Sequence, residues 1–88
     1  MNEKELEEKL REEGFSYVYI WEDRPNAFYP DHTHPRITAH IILKGEMTVT
    51  SEGKTQTYKE GQRFDVPAET VHSAQIGPLG CRYIIGEK

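Results

Sequence analysis

From Phe15 to its end the chain follows a hydrophobic period of two, broken by glycine or proline roughly every 8–12 residues. FSYVYIW (15–21) is aromatic and β-branched, and EDRPNAFYPD (22–31) reads as a loop containing Pro25 and Pro30. ITAHIIL and GEMTVTS flank Lys44 as a long or bent strand pair. EGK (52–54) turns the chain into TQTYK, Glu60-Gly61 into QRFDV, PAET (67–70) into VHSAQI, and GPLG (77–80) into CRYII. Short strands joined by such turns predict a mainly β, antiparallel sandwich or barrel over 15–88.

Some of these strands are apolar on both faces. Ile42 shares the face of His40, while Ile41 and Leu43 point the other way; Phe15, Tyr17, Tyr19 and Trp21 fall on one face of their segment, and Val18 and Ile20 on the other. A small sandwich has one interior, so the second apolar face needs cover from an N-terminal helix or another subunit. The expectation is a homodimer.

That helix is predicted over 2–13. Asn2 can cap it, Glu5 completes a capping-box pattern, and Gly14 suits its C-terminus. Leu6 and Leu10 lie one turn apart on its apolar stripe, and Glu5 with Lys9 and Glu7 with Arg11 have the spacing of favourable pairs, each worth about 0.2–0.5 kcal/mol.

At 88 residues the sequence fits a single domain over 1–88, which would bury about 60–65% of the surface of its unfolded form. A net charge of −4 with scattered basic residues argues against a nucleic-acid surface, and no apolar run is long enough to span a membrane. The charged start MNEKELEEKLREEG is unlike a signal peptide, so a cytoplasmic location is expected. The single cysteine, Cys81, has no internal disulfide partner and reads as a small packing residue.

All the histidines fall into one pattern. In an extended chain His32 and His34 project from the same face, with Cα atoms about 6.5–7 Å apart, so their imidazoles can converge on one ion. His40 has the same parity if the strand is continuous, and His72 follows the PAET turn on a strand that can lie beside the first. Pro35 holds His34 extended, and Pro67 sets the turn before His72.

HTHPRITAHIILKG (32–45) resembles the first cupin motif, His-x-His followed at intervals by glutamate and glycine; GQRFDVPAETVHSAQI (61–76) resembles the second. The resemblance implies a small double-stranded β-helix, an antiparallel jelly-roll barrel of a kind that often dimerises, with His32, His34 and His72 as metal ligands. Thr38 stands where the family usually has a metal-binding glutamate, Glu69 replaces the second motif's glycine, and Ile76 its asparagine. His40 is then either a fourth ligand in the vacant place or an acid/base.

Neutral imidazoles without a carboxylate leave a divalent ion with two net positive charges, which favours anionic or oxygen-donor ligands. Such donors suit iron, nickel, copper or zinc over calcium or magnesium. Among cupins, all-histidine sites are known in non-haem iron dioxygenases acting on thiols or diketones. The expected function is therefore a metal-dependent small-molecule enzyme, dioxygenase-like or an isomerase or lyase; the alternative is a module that binds or senses a small molecule without turnover.

Other residues are candidates for the surroundings of the site. Tyr83 is the proposed catalytic partner of His40, with Tyr29 and Tyr58 as further inward phenols. Asp31 and Glu69 stand beside ligand histidines as possible acceptors for their outer N–H groups, or as turn carboxylates in water. Arg36 and Arg82 are candidates for a substrate carboxylate, and Trp21, Phe28 and Phe64 for the pocket mouth or the core.

Overall fold

Two strands long enough to serve two sheets organise the molecule. The computed structural model describes residues 2–88, in the order α1 (Glu3–Glu12), β1 (Tyr17–Asp23), β2 (Phe28–His32), β3 (Thr38–Ser51), β4 (Lys54–Lys59), β5 (Arg63–Val66) and β6 (His72–Glu87). The C-terminal part of β6 lies between β1 and the first half of β3, which pairs on its far side with β5. The N-terminal part of β6 lies between β2 and the second half of β3, which pairs with β4. Every pairing is antiparallel, giving a jelly roll of two sheets that share their central strands.

Both shared strands turn the corner between sheets at one place. The β3–β6 register passes from Gly45↔Cys81 to Met47↔Ile76, so residues 77–80 bulge out opposite Glu46. Gly45 and Gly80 both have φ of +82°, and a Cβ on Gly45 would lie 2.1 Å from the Gly80 carbonyl oxygen. Only glycine lets the two backbones approach so closely in that conformation.

This corner corrects one sequence expectation. GPLG does not reverse the chain between two strands; it is the bend inside the continuous β6. The segment assigned to a loop at 22–31 also contains β2, which the prolines disguise and which pairs only with β6. ITAHIIL and GEMTVTS, read as a long or bent strand pair, are the two halves of the single strand β3.

Side-chain alternation divides the apolar residues. Ile42, Met47, Val49, Phe64, Ala74, Ile76 and Tyr83 fill the interior between the sheets. Ile41, Leu43, Ile84 and Val18 point outward and are covered by Leu10 and Leu6 of α1. The helix is thus the cover that the second face required. Phe15 departs from its expected face: it precedes β1 and packs beneath the helix, where Gly86 leaves room for its ring.

Asn2 caps α1 by accepting the Glu5 N–H at 3.1 Å. Among the described residues the ion pairs that hold this helix run across the fold, from Glu13 to Arg63 and from Glu3 to Arg82, not within the helix. No described helix is long and apolar enough to cross a membrane.

Candidate metal centre

Strand pairing assembles the histidines. His32 ends β2, His72 begins β6, and the two are direct partners across that ladder. His34 lies just beyond β2, and its carbonyl accepts the Glu69 N–H at 2.8 Å, tying the 67–70 turn to the His-x-His segment. Ring centroids are 4.9 Å apart for His32–His34, 4.2 Å for His32–His72 and 4.8 Å for His34–His72. One ring nitrogen from each lies within 4.8 Å of the others.

Backbone carbonyls set two of the rings. His32 Nδ1 is 2.7 Å from the Pro30 carbonyl oxygen, and His72 Nδ1 is 2.9 Å from that of Thr70. A carbonyl only accepts, so each Nδ1 carries a proton and Nε2 is the ring atom left to face an ion. Asp31 and Glu69 do not take this role; they line a separate surface groove. The sequence clue was a carbonyl two residues before each histidine, visible only once both segments are known to curl alike.

His34 Nδ1 is buried with no hydrogen-bond partner among the described residues. Burial, then the neighbouring His72 and His32, pushes its pKa below the ordinary value. Imidazoles converging from three directions, one of them with an unsatisfied nitrogen, match the donor set of a divalent transition metal.

His40 and Thr38 lie beside this group on β3. Both line the same cavity of about 340 Å³ as the three histidines, and both are buried. His40 is outside the convergent set; its ring stacks on Phe64, with centroids 4.4 Å apart and planes 6° from parallel. Burial, followed by His34 and His72, lowers its pKa to about 3, so it is a neutral imidazole near pH 7. Thr38 Oγ1 and His40 Nδ1, like His34 Nδ1, have no hydrogen-bond partner among the described residues.

A model of the cupin domain family matches residues 19–77, which contain all of these histidines. The chain belongs to the cupin family. Solved structures agree: a cupin superfamily protein from Desulfitobacterium hafniense superposes with a TM-score of 0.72 at 16% identity, over 80% of this chain and 63% of that one. An RmlC-like cupin from Shewanella frigidimarina gives 0.71 at 23%, over 80% and 62%. The DMSP lyase DddQ from Ruegeria pomeroyi gives 0.74 at 21%, over 81% and 36%. The chain therefore spans less than two thirds of the length of these three proteins. No curated protein matches the sequence.

The cupin motifs explain two local features. Glu69, in the place of the motif glycine, has φ of +61°, so this turn needs a left-handed residue and a glutamate occupies it at a cost of about 1–2 kcal/mol. Its N–H bond to the His34 carbonyl holds it there. Thr38, in the place of the motif glutamate, brings no charge to the donor set.

The opposite side of this cupin's cavity, towards the corner, is built differently. Tyr29 Oη donates to Asp23 Oδ1 at 2.5 Å and Tyr83 Oη to Asp23 Oδ2 at 2.6 Å; Trp21 Nε1 also donates to Oδ1, at 3.1 Å. Away from the corner, where Glu87 pairs with Thr38, Tyr19 Oη donates to Glu87 at 3.1 Å. Tyr83 lines the cavity with its proton committed to Asp23, and Tyr29 does the same. Tyr58 stacks on Phe64 and does not line the cavity. Arg36 lines it, whereas Arg82 is on the outer surface with Glu3 and Glu22. Trp21 and Phe64 are wall residues; Phe28 is exposed and outside the lining. Asp23 is the residue that sequence reasoning missed, because its partner Tyr83 lies 60 residues away.

Proposed function

We propose that this cupin holds one divalent transition metal through His32, His34 and His72 and acts on a small oxygen-donor molecule in the cavity, in the manner of a non-haem dioxygenase or a related metal-dependent enzyme. The observation that carries the reading is the convergence of three imidazoles, two of them fixed through Nδ1 by backbone carbonyls so that Nε2 faces the others. When bound, the metal would supply Lewis acidity and, if iron or copper, redox chemistry. The chain's own residues do the rest. Thr38 and His40 present unpartnered polar atoms beside the histidines, and Met47, Val49 and Phe64 add apolar lining to the cavity. Neutral His40 is in the form required of a further ligand, and its low pKa makes it a weak base.

A second reading, a binding module without turnover, is favoured by a specific feature: the cavity phenols give their protons to carboxylates and offer none to a substrate. Elemental analysis of protein purified without chelator, beside the His32→Ala/His72→Ala double variant, tests the metal site. About one transition metal per chain, absent from the variant, supports it; none after incubation with iron, nickel, copper and zinc overturns it. With metal bound, His40→Ala separates the roles: loss of affinity marks a ligand, and loss of turnover at unchanged affinity marks an acid/base.

A further inference from the structure

The corner side of the cavity carries an assignment that the metal site alone does not. Asp23 accepts three hydrogen bonds from three residues that line the cavity, Trp21, Tyr29 and Tyr83. A phenol has one proton to donate. With that proton turned outward to Asp23, each phenol oxygen can only accept from the cavity, and the indole N–H is taken as well. Burial first, and Asp23 second, push both phenols above the ordinary tyrosine pKa, so the protons stay on them at neutral pH.

The wall is therefore electronegative throughout: two phenol oxygens with free lone pairs, aromatic faces, and a carboxylate behind them. Such a surface leaves an anion without donors and receives a cationic donor by hydrogen bonds and ring electrostatics. Across the cavity the groups differ. Arg36 and the three histidines line that side, where an oxygen-donor group has its natural partners, and the Glu87 carboxylate beside them already accepts from Tyr19. The two sides are within one small molecule's reach: the Tyr29 ring is 6.2 Å from that of His32, and the Tyr83 ring 6.1 Å from that of His40.

We propose that the cavity selects a small amine that also bears an oxygen donor, of the amino-acid or amino-alcohol kind, with its ammonium group accepted by Tyr29 and Tyr83 in front of Asp23. This deepens the metal-site reading by naming the class of molecule; the amine subsite itself uses no metal ligand, so the two stand or fall separately.

The test uses Trp21, the only tryptophan, as a fluorescent reporter in the cavity wall. Metal-free and Co²⁺-treated protein are each titrated with 3-aminopropanoate and with butanoate, which replaces the ammonium by a methyl group of similar size. The expected result is at least about tenfold tighter binding of the amine, the value of one charge-assisted hydrogen bond. In Asp23→Asn one phenol proton is released towards the cavity and the negative charge is lost, so the preference should disappear. Tyr29→Phe keeps the carboxylate and removes one acceptor; it should weaken amine binding about fivefold, leave butanoate unchanged, and serve if Asp23→Asn fails to fold by circular dichroism.

Equal binding of the two molecules, a preference for butanoate, or no binding of either overturns the proposal. A preference retained by protein that takes up no Co²⁺ supports the amine subsite while removing the metal site. Bound Co²⁺ without an amine preference does the reverse.

Discussion

The two sides of the cavity treat their polar atoms in opposite ways. Around the histidines, His34 Nδ1, Thr38 Oγ1 and His40 Nδ1 are buried and unpartnered among the described residues; at the corner, the phenol and indole hydrogens of Tyr29, Tyr83 and Trp21 all have the Asp23 carboxylate to receive them. An unsatisfied buried polar atom costs about 1–3 kcal/mol, which a ligand or ion can recover on binding. A satisfied one keeps its geometry with or without a ligand. The histidine side is thus built to be completed and the corner side to be rigid.

Removing either kind of group sharpens the contrast, and the largest effect is expected on metal. His34→Ala should lower affinity for Co²⁺ or Zn²⁺ by more than about 100-fold, measured by competition with a chromogenic chelator, whereas Tyr83→Phe should leave it within about threefold.

The pH response of the metal-free protein should also differ between the buried imidazole and the carboxylate-bound phenols. His40 holds its pKa near 3 in the fold against an ordinary value of 6.5, so the unfolded chain binds the proton first as pH falls. Its contribution to stability is then full above about pH 6.5 and declines towards pH 3, by up to about 1.4 kcal/mol per unit. Tyr19 is raised to about 12 by burial and by Glu87, so its contribution is intact below pH 10 and is lost as pH rises towards 12. Urea titrations of the wild type and of His40→Phe across this range separate the acid limb: the variant should show a shallower decline between pH 6.5 and 3.

Deleting one hydroxyl from each side should give opposite signs. Tyr83→Phe leaves Asp23 short of a donor and should cost about 1–2 kcal/mol; Thr38→Val removes an oxygen with no partner and should be neutral or stabilising by up to about 1 kcal/mol. Equal losses in chemical denaturation would erase the distinction. The smallest expected change is at the turn joining the histidine segments, where Glu69→Gly should stabilise by about 1 kcal/mol by removing a left-handed side-chain residue.

The contrast also marks how far the sequence was legible. His32, His34 and His72 could be read because a period of two places i and i+2 on one face, and because Pro67 announces the turn before His72. The helix was legible through Asn2, Glu5 and Gly14, although its ion pairs, formed with Arg63 and Arg82, are not local. β2 was hidden because Pro30 and Pro25 imitate a loop, and the continuity of β6 because a corner and a hairpin use the same Gly-Pro vocabulary. Asp23 could not be found at all, since three strand segments must pair before Trp21, Tyr29 and Tyr83 meet it.

Because β3 and β6 run through both sheets, neither sheet possesses a centre of its own. Opening one withdraws the middle strands of the other, so the molecule lacks a half that can come apart while the rest persists. The slowest-exchanging amides of the His72 portion and the Tyr83 portion should share one exchange free energy, that of global unfolding. A ligand seated at either side then protects the entire β framework, and its affinity is legible in backbone amides far from where it sits.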